Sequence, residues 1–325
     1  MKSTPLISVV LPVYNADNFV GDTIHSILNQ TFKDFELIIL NDCSYDSSED
    51  VILGFSDSRI RYVKNDANLK LIKTLNLGFS IAKGKYIARI DADDIAMPDR
   101  FQKQVDFLEK HLEYGIVGSF AQSFGANNSL LKFITEDEDI RYALLSYNPF
   151  IHSSVMLRRS VIDSNNLTFD LSKTHVEDYD LWIRLLQFTK GKILPEILVK
   201  YRVHDQQISK IHLEEQIERS IQLQYGYLKK ILFLEIEYDD YRHLFCYNSM
   251  LLRKLAELIQ LIRQRLSESS CTSLQIQVYN SILKRAINQI LTKESIAFSD
   301  VRPLISIFTM FTFIQKISLI KKIIL

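Results

Sequence analysis

Short apolar runs alternate with segments of helical periodicity through the first part of the chain. Four runs rich in β-branched and aliphatic residues predict strands buried in a sheet. They cover residues 6–13, 35–40, 60–63 and 86–90. Between them, apolar residues recur every three or four positions, as at Leu71, Leu75 and Phe79, which predicts helices. Such alternation is typical of an α/β domain with a parallel sheet and right-handed crossovers.

Polar side chains follow the predicted strands where they end. The fourth strand runs into Asp91–Asp94, a stretch with three aspartates, and Tyr14–Asn15 and Asn41–Asp42 follow the first two strands. Because the carboxyl ends of parallel strands share one edge, we expect these groups to line one pocket. Carboxylates this close repel one another unless water or a cation intervenes, and Mg²⁺ and Mn²⁺ prefer oxygen ligands. The alternative for so short a motif is a solvated turn.

A second acidic cluster begins at Glu177. The helical spacing places Asp178 on one face with Leu181 and Leu185, so a carboxylate stands at the start of an apolar stripe. These acids either stabilise a helix N-terminus electrostatically, or Asp178 is a general base positioned by a rigid helix. Beside it, Trp182 either packs against a bound acceptor ring or fills the core.

Two further groups suit an anionic ligand. Arg202 and His204 follow a predicted strand at residues 197–201 and, being two apart on an extended segment, point the same way. Arginine binds phosphate through bidentate hydrogen bonds, and histidine is a switchable donor or a metal ligand. His152, in contrast, is more typical of a structural histidine.

Composition excludes several classes of protein. The chain has 39 basic and 39 acidic residues among 325, so no overall basic field indicates nucleic-acid binding. Its three cysteines are far apart, which argues against a disulfide framework or a zinc site and suits a reducing compartment. No apolar stretch has the pattern of a signal peptide or the length of a membrane span, so we expect a cytoplasmic protein.

The last third of the chain differs in composition from the rest. Helical spacing dominates after residue 205, which predicts a domain at residues 1–205 and an all-α domain at 206–325. The tail at 303–325 combines apolar residues with lysines and has no acid. It predicts either a segment bound to an anionic membrane surface or a last helix docked on the core or a partner.

Taken in order, the motifs of residues 5–205 resemble those of the family 2 glycosyltransferases. The matching stretches are Ser8–Asn15, Asn41–Asp42 with Ser44 and Asp46, Ala88–Asp94 with Pro98 and Arg100, His152–Ser154, Glu177–Trp182 and Tyr201–His204. The resemblance implies the GT-A fold, an α/β fold with a Rossmann-like mixed sheet flanked by helices. It also implies transfer of a sugar from a nucleotide-sugar, usually a UDP-sugar, with inversion at the anomeric carbon.

The resemblance assigns a donor site to the first strand ends. It implies that Pro12, Val13, Tyr14, Asn15 and Asp42 line the base and ribose site. A carboxylate at Asp42 can accept the N3–H of uracil.

The resemblance also assigns a metal and a base. It implies Mn²⁺ or Mg²⁺ held by Asp93, with Asp91 touching the ribose or the metal's waters. Arg202 and His204 would meet the departing diphosphate, and His204 is a further candidate metal ligand. Asp178 would take the proton of the acceptor hydroxyl, with Glu177 as its neighbour.

The implied acceptor is a glycan or a lipid-linked glycan, in the synthesis of a surface polysaccharide at the inner face of the membrane. Two alternatives remain, a catalytically silent scaffold that binds nucleotide-sugar and an aspartate-dependent phosphohydrolase. The chain departs from the family pattern where relatives often have glycine, at Cys43 and at Lys70 in Asn68–Lys70. Both changes alter the freedom of the loop backbone, because only glycine enters positive φ easily.

Overall fold

The computed structural model describes residues 4–205, 207–232 and 237–245. Within them, nine strands form one mixed sheet and helices flank it. The strands are β1 (Ile7–Val13), β2 (Phe35–Asn41), β3 (Ile60–Lys64), β4 (Tyr86–Arg89), β5 (Ile95–Ala96), β6 (Tyr114–Gly125), β7 (Leu130–Leu131), β8 (Met156–Arg158) and β9 (Lys190–Val203). The helices are α1 (Val20–Leu28), α2 (Ser48–Leu53), α3 (Leu71–Ile81), α4 (Arg100–Lys110), α5 (Asp137–Ala143), α6 (Arg159–Ser164), α7 (Glu177–Leu185), α8 (Ile208–Ile211), α9 (Leu213–Leu232) and α10 (Tyr238–Phe245).

The sheet joins a parallel half to a mixed half. Its order is β3-β2-β1-β4-β8-β6-β9-β5, with β7 paired to β6. Strands β1 to β4 are mutually parallel, as the alternation predicted, whereas β8 runs antiparallel between β4 and β6. The prediction of a parallel sheet therefore holds for the first four strands, and beyond them β6 and β9 also pair in parallel.

Helices cover both faces of the central strand β1. All its residues are buried, and alternate side chains point to opposite faces. Val9 and Leu11 belong to the core cluster that includes Ile24 of α1. On the other face, a Cβ at Gly78 of α3 would lie 2.6 Å from Val10 Cγ1, so this helix approaches the strand more closely than any larger residue allows.

The sequence predicts Ser47 as the N-cap of a helix that extends to residue 55, and Pro98 in the first turn of a later helix, and both predictions are wrong in detail. Ser47 does not cap α2 through its side chain; Asp46 Oδ1 instead accepts the Ser48 N–H at 3.0 Å. Pro98 lies outside the first turn of α4, which begins at Arg100, and its carbonyl accepts the Thr31 N–H at 2.8 Å.

The chain divides into two compact units, Met1–Ser220 and Ile221–Leu325. Most of the described residues after β9 belong to helices, chiefly α9 and α10. The domain limits at 1–205 and 206–325 remain a prediction. The helical spacing predicted after residue 250 and the tail at 303–325 lie outside the described residues. No described helix combines the length and the apolar character needed to cross a bilayer.

The two positions at which relatives often have glycine, Cys43 and Lys70, both have a positive φ angle. Cys43 has φ +60° and Lys70 has φ +70° with ψ 160°. The conformation of Lys70 belongs to a region that is almost exclusive to glycine, and such strain costs about 1–3 kcal/mol. The chain thus has a positive φ at both positions without glycine, the residue that adopts it most easily.

We predict that Lys70→Gly raises the free energy of unfolding by about 1 kcal/mol, because relief of strain exceeds the entropy that glycine gains in the unfolded chain. Urea denaturation measures this change. The matched control is Lys73→Gly, at an exposed position inside α3, which should lower stability by about 1 kcal/mol. Equal destabilisation by both substitutions would contradict the assignment of strain to Lys70.

Candidate active site

One cavity of ≈ 320 Å³ gathers carboxyl groups from two distant parts of the chain. Asp91 and Asp93 follow β4, whereas Glu177 and Asp178 begin α7, and all four line this cavity. The structure therefore brings together the two acidic clusters that the sequence singled out.

Asp91 is held by a buried arginine of its own strand. The guanidinium of Arg89, almost completely buried, donates to both carboxylate oxygens of Asp91. Ser153 Oγ donates to Asp91 Oδ2 at 2.9 Å and accepts the Asp91 N–H at 3.0 Å. These contacts fix the orientation of Asp91 and leave its side chain partly exposed to the cavity.

Asp93 and Asp94 are in contact with the end of β9. Asp93 Oδ2 lies 2.9 Å from Nε2 of His204, and Asp94 Oδ1 accepts the backbone N–H of Arg202 at 2.8 Å. Burial, followed by the charge of Asp91, raises the pKa of Asp93, and the same two causes raise the pKa of Asp94 well above its ordinary value.

The three aspartates fit a divalent cation. Oxygens of Asp91, Asp93 and Asp94 lie within 4.8 Å of one another, and Asp94 Oδ2 is buried without a hydrogen-bond partner. Mutual repulsion and burial both oppose ionisation of this group, and a cation offsets both. His204 Nε2 beside Asp93 is a potential nitrogen donor, which would suit Mn²⁺ better than the harder Mg²⁺, and its role as a metal ligand remains a prediction.

Asp178 is oriented at the start of α7 by two donors. Asn148 Nδ2 donates to Asp178 Oδ2 at 2.9 Å, and the Tyr179 N–H donates to Asp178 Oδ1 at 2.7 Å. Burial nevertheless raises the pKa of Asp178 to about 6. Burial, together with the charge of Asp178, raises the pKa of Glu177 to about 7. This pair is therefore more basic than ordinary surface carboxylates.

The predicted donor-site residues lie at neighbouring strand ends but do not line this cavity. Pro12 and Val13 are buried in β1, where they can offer only backbone atoms to a ligand, and Tyr14 is exposed. Asn15 ties the two strand ends together, since its N–H donates to Ser44 Oγ at 3.1 Å.

Asp42 is buried and already bound by the chain. Its Oδ1 accepts hydrogen bonds from Asn65 Nδ2 and from the Leu69 N–H, both at 2.8 Å. Asp42 thus anchors the loop that leads to the strained Lys70, and its role toward a base remains a prediction.

Arg202 is confined between aromatic rings. Its guanidinium carbon lies 4.9 Å from the ring centre of Phe19 and 4.5 Å from that of Phe124. Its Nε donates to the Asp93 carbonyl at 2.8 Å, and an Nη atom lies 3.1 Å from Asp22 Oδ2. Arg202 therefore supports the aspartate loop directly, while its predicted contact with diphosphate remains a prediction.

Sequence reasoning missed several residues that shape the site. Arg89 stands two positions before Asp91 along the extended chain, and this spacing could have indicated the pair. Asn148 carried no comparable signal, because it lies 30 positions from Asp178. Trp182 is completely buried against Phe150, so it fills the core and does not pack against an acceptor ring.

Comparison with known proteins identifies relatives of this chain. Residues 8–164 match the family model described as Glycosyl transferase family 2. An uncharacterized glycosyltransferase of Haemophilus influenzae is 35% identical over 231 residues, which cover 67% of this chain and 72% of that protein. The Escherichia coli UDP-Glc:alpha-D-GlcNAc-diphosphoundecaprenol beta-1,3-glucosyltransferase WfgD is 29% identical over 213 residues, covering 65% of this chain and 82% of WfgD.

A solved structure shares the fold. Residues 1–349 of Staphylococcus aureus TarS, in complex with UDP-GlcNAc, align with a TM-score of 0.57 and 16% identity, covering 86% of this chain and 90% of that chain. The predicted GT-A fold, with its mixed sheet between helices, is confirmed.

We predict that Glu177→Gln becomes increasingly stabilising, relative to wild type, as the pH rises from about 4.5 to 7. The pKa of Glu177 is about 7 in the folded protein, whereas its ordinary value is 4.5. Between these two pH values, Glu177 is protonated in the folded wild type and ionised in the unfolded chain. Wild type therefore loses stability across the window, and the neutral glutamine avoids this loss of roughly 3 kcal/mol. Urea denaturation at pH 4.5 and 8 measures the change, and a difference independent of pH would contradict it.

Proposed function

Because the chain belongs to glycosyl transferase family 2, we propose that this glycosyltransferase moves a sugar from a UDP-sugar to a hydroxyl group of a lipid-linked glycan. The transfer inverts the anomeric carbon and uses a divalent metal ion. The observation that carries this proposal is the single cavity lined by Asp91 and Asp93 on one part of the chain and by Glu177 and Asp178 on another.

The proposed reaction is a single displacement. The acceptor oxygen forms a bond to the anomeric carbon while the bond from that carbon to the diphosphate oxygen breaks. Asp178 accepts the acceptor's proton, as a general base, and its raised pKa of about 6 makes it a better proton acceptor than an ordinary aspartate. Asn148 and the Tyr179 N–H hold its carboxylate in one orientation. The charge of Asp178 in turn raises the pKa of the neighbouring Glu177 to about 7, so this pair of acids takes up a proton readily.

The metal would be held by Asp93 and His204, with Asp91 as a further ligand or a partner of its waters. When bound, Mn²⁺ or Mg²⁺ offsets the charge that accumulates on the diphosphate as it leaves. Arg89 and Ser153 keep Asp91 in place for this role. His204 and Arg202 contact the diphosphate from the end of β9, and Arg202 also supports the backbone of Asp93.

The donor and acceptor classes follow from the relatives. WfgD is named for UDP-Glc and for an acceptor linked to diphosphoundecaprenol, and TarS was solved with UDP-GlcNAc. Pro12, Val13, Tyr14, Asn15 and Asp42 form the proposed base and ribose site, and surface polysaccharide synthesis at the inner membrane face is the proposed setting. A panel of UDP-sugars with a diphospholipid-linked sugar acceptor tests this proposal, with UDP release and transfer to lipid as readouts.

We predict that Asp93→Ala weakens UDP binding in the presence of Mn²⁺ by at least about tenfold and abolishes its metal dependence, since this carboxylate is the proposed ligand. Calorimetric titration of UDP with and without Mn²⁺ measures both effects. Asp99→Ala removes an exposed aspartate of the same segment and should bind UDP as wild type does. Metal-dependent UDP binding that survives in Asp93→Ala would refute the assignment.

We predict that Asp178→Asn keeps the UDP affinity of wild type and lowers the turnover number by about 10²–10⁴, the usual contribution of a general base. Steady-state kinetics with the acceptor found in the panel measures turnover. The neighbouring control Asp180→Asn removes an acid paired with Arg184 and should keep most of the turnover. Unchanged turnover in Asp178→Asn would remove it from the mechanism.

The same measurements separate the proposal from its rivals. Metal-dependent UDP binding without turnover on any acceptor favours a scaffold that only binds nucleotide-sugar. Release of phosphate from simple esters favours a phosphohydrolase. Transfer of label from the sugar donor to lipid supports the glycosyltransferase.

A further inference from the structure

A second group of possible metal ligands lies at the rim of the cavity. It consists of His175, which precedes α7, and of His212 and Glu215 at the start of α9. One ligand atom of each residue lies within 4.8 Å of the other two. None of these residues belongs to the aspartate cluster, and His175 lines the same cavity as Asp178.

The carboxylate lies at a suitable distance from both imidazoles. Glu215 Oε2 lies 3.6 Å from Nε2 of His175 and 3.8 Å from Nδ1 of His212. Two ligands bound to a tetrahedral Zn²⁺ at ~2.0–2.1 Å are about 3.3 Å apart, which is close to both distances. The two imidazole rings stack with their centres 4.3 Å apart and 17° between their planes. Because an imidazole binds a metal in the plane of its ring, the half-exposed His212 side chain must rotate before both rings face one ion.

The surrounding contacts already hold these groups in place. Glu215 Oε1 accepts a hydrogen bond from Arg219 Nε at 2.9 Å, which leaves Oε2 facing the histidines. The His175 carbonyl accepts Gln216 Nε2 at 2.9 Å, and Arg219 donates to the Ser172 carbonyl at 3.1 Å. The first of these hydrogen bonds orients a proposed ligand side chain, as is typical of metal sites, and the other two fix the neighbouring backbone.

The chemistry of the ligands selects a different ion from that of the aspartates. Two imidazoles and one carboxylate suit Zn²⁺, Co²⁺ or Ni²⁺, whereas the aspartate cluster suits Mg²⁺ and Mn²⁺. The side chains of His212 and Glu215 are 44% and 45% exposed, which gives an ion access and leaves room for a water as fourth ligand.

We propose that His175, His212 and Glu215 bind a zinc-type transition-metal ion that joins the segment before α7 to the start of α9. The ion fixes the rim of the cavity at His175, and it is distinct from the ion proposed at Asp93. The inference stands on these three residues and does not depend on the proposed transfer reaction.

Calorimetric titration of Zn²⁺ into the metal-free full chain tests the site. Wild type should bind one equivalent that is lost, or weakened at least tenfold, in both His212→Ala and Glu215→Gln. The same equivalent should remain in Asp93→Ala, which removes the other proposed site, and in His25→Ala, which removes an exposed histidine elsewhere. Zn²⁺ binding by both His212→Ala and Glu215→Gln with wild-type stoichiometry and affinity would overturn the proposal, as would the absence of any Zn²⁺ binding by wild type.

Two further readouts do not depend on heats of binding. Co²⁺ should give the visible absorption of a tetrahedral site in wild type and in Asp93→Ala, but not in Glu215→Gln. Zn²⁺ should also raise the melting temperature of wild type by mass action, and by a smaller amount in either variant. Glu215→Gln keeps nearly the same shape as the wild-type residue, so it serves as the test if His212→Ala folds poorly.

Discussion

An excess of negative charge in a partly buried cavity is the constraint on which this site depends. Among the described residues that line the cavity, four are acidic and Arg89 is the sole arginine or lysine. Its guanidinium donates to Asp91. Burial is the largest cause of the raised pKa values of Asp93, Glu177 and Asp178, and the charge of Arg89 only partly offsets it at Glu177 and Asp178. The carboxylates of this cavity therefore bind protons and cations more tightly than carboxylates on an ordinary protein surface.

The sheet topology explains how such an excess arises. β4 delivers the aspartate loop, and β5 within that loop pairs antiparallel with β9 through Ile95 and Ala96. β9 then continues to Arg202 and His204, which contact Asp94 and Asp93. Strands separated by about a hundred positions in sequence thus hold the loop from both sides. Their backbone hydrogen bonds keep the loop in place despite the repulsion between its aspartates.

The sequence predicted elements better than it predicted contacts. The strands β1 to β4 and the acids at their ends follow from apolar runs that stop abruptly, because buried parallel strands leave a clear signal in composition. The pairing of Asp178 with Asn148 and the full burial of Trp182 depend on how α7 packs, and periodicity carries no information about which distant residue meets a helix end. The glycine that relatives often have at position 70 indicated a positive φ there. Only the folded structure shows that Lys70 adopts this backbone conformation.

The aromatic enclosure of Arg202 has a consequence for how this protein can change over time. Phe19, Phe124 and Arg202 come from three separate regions, yet the planar guanidinium lies over both rings, 4.9 Å and 4.5 Å from their centres. Lysine would preserve the charge but not the planar shape that such stacking requires. We therefore expect that, during evolution, a substitution at one of these three positions is accompanied by substitutions at the other two.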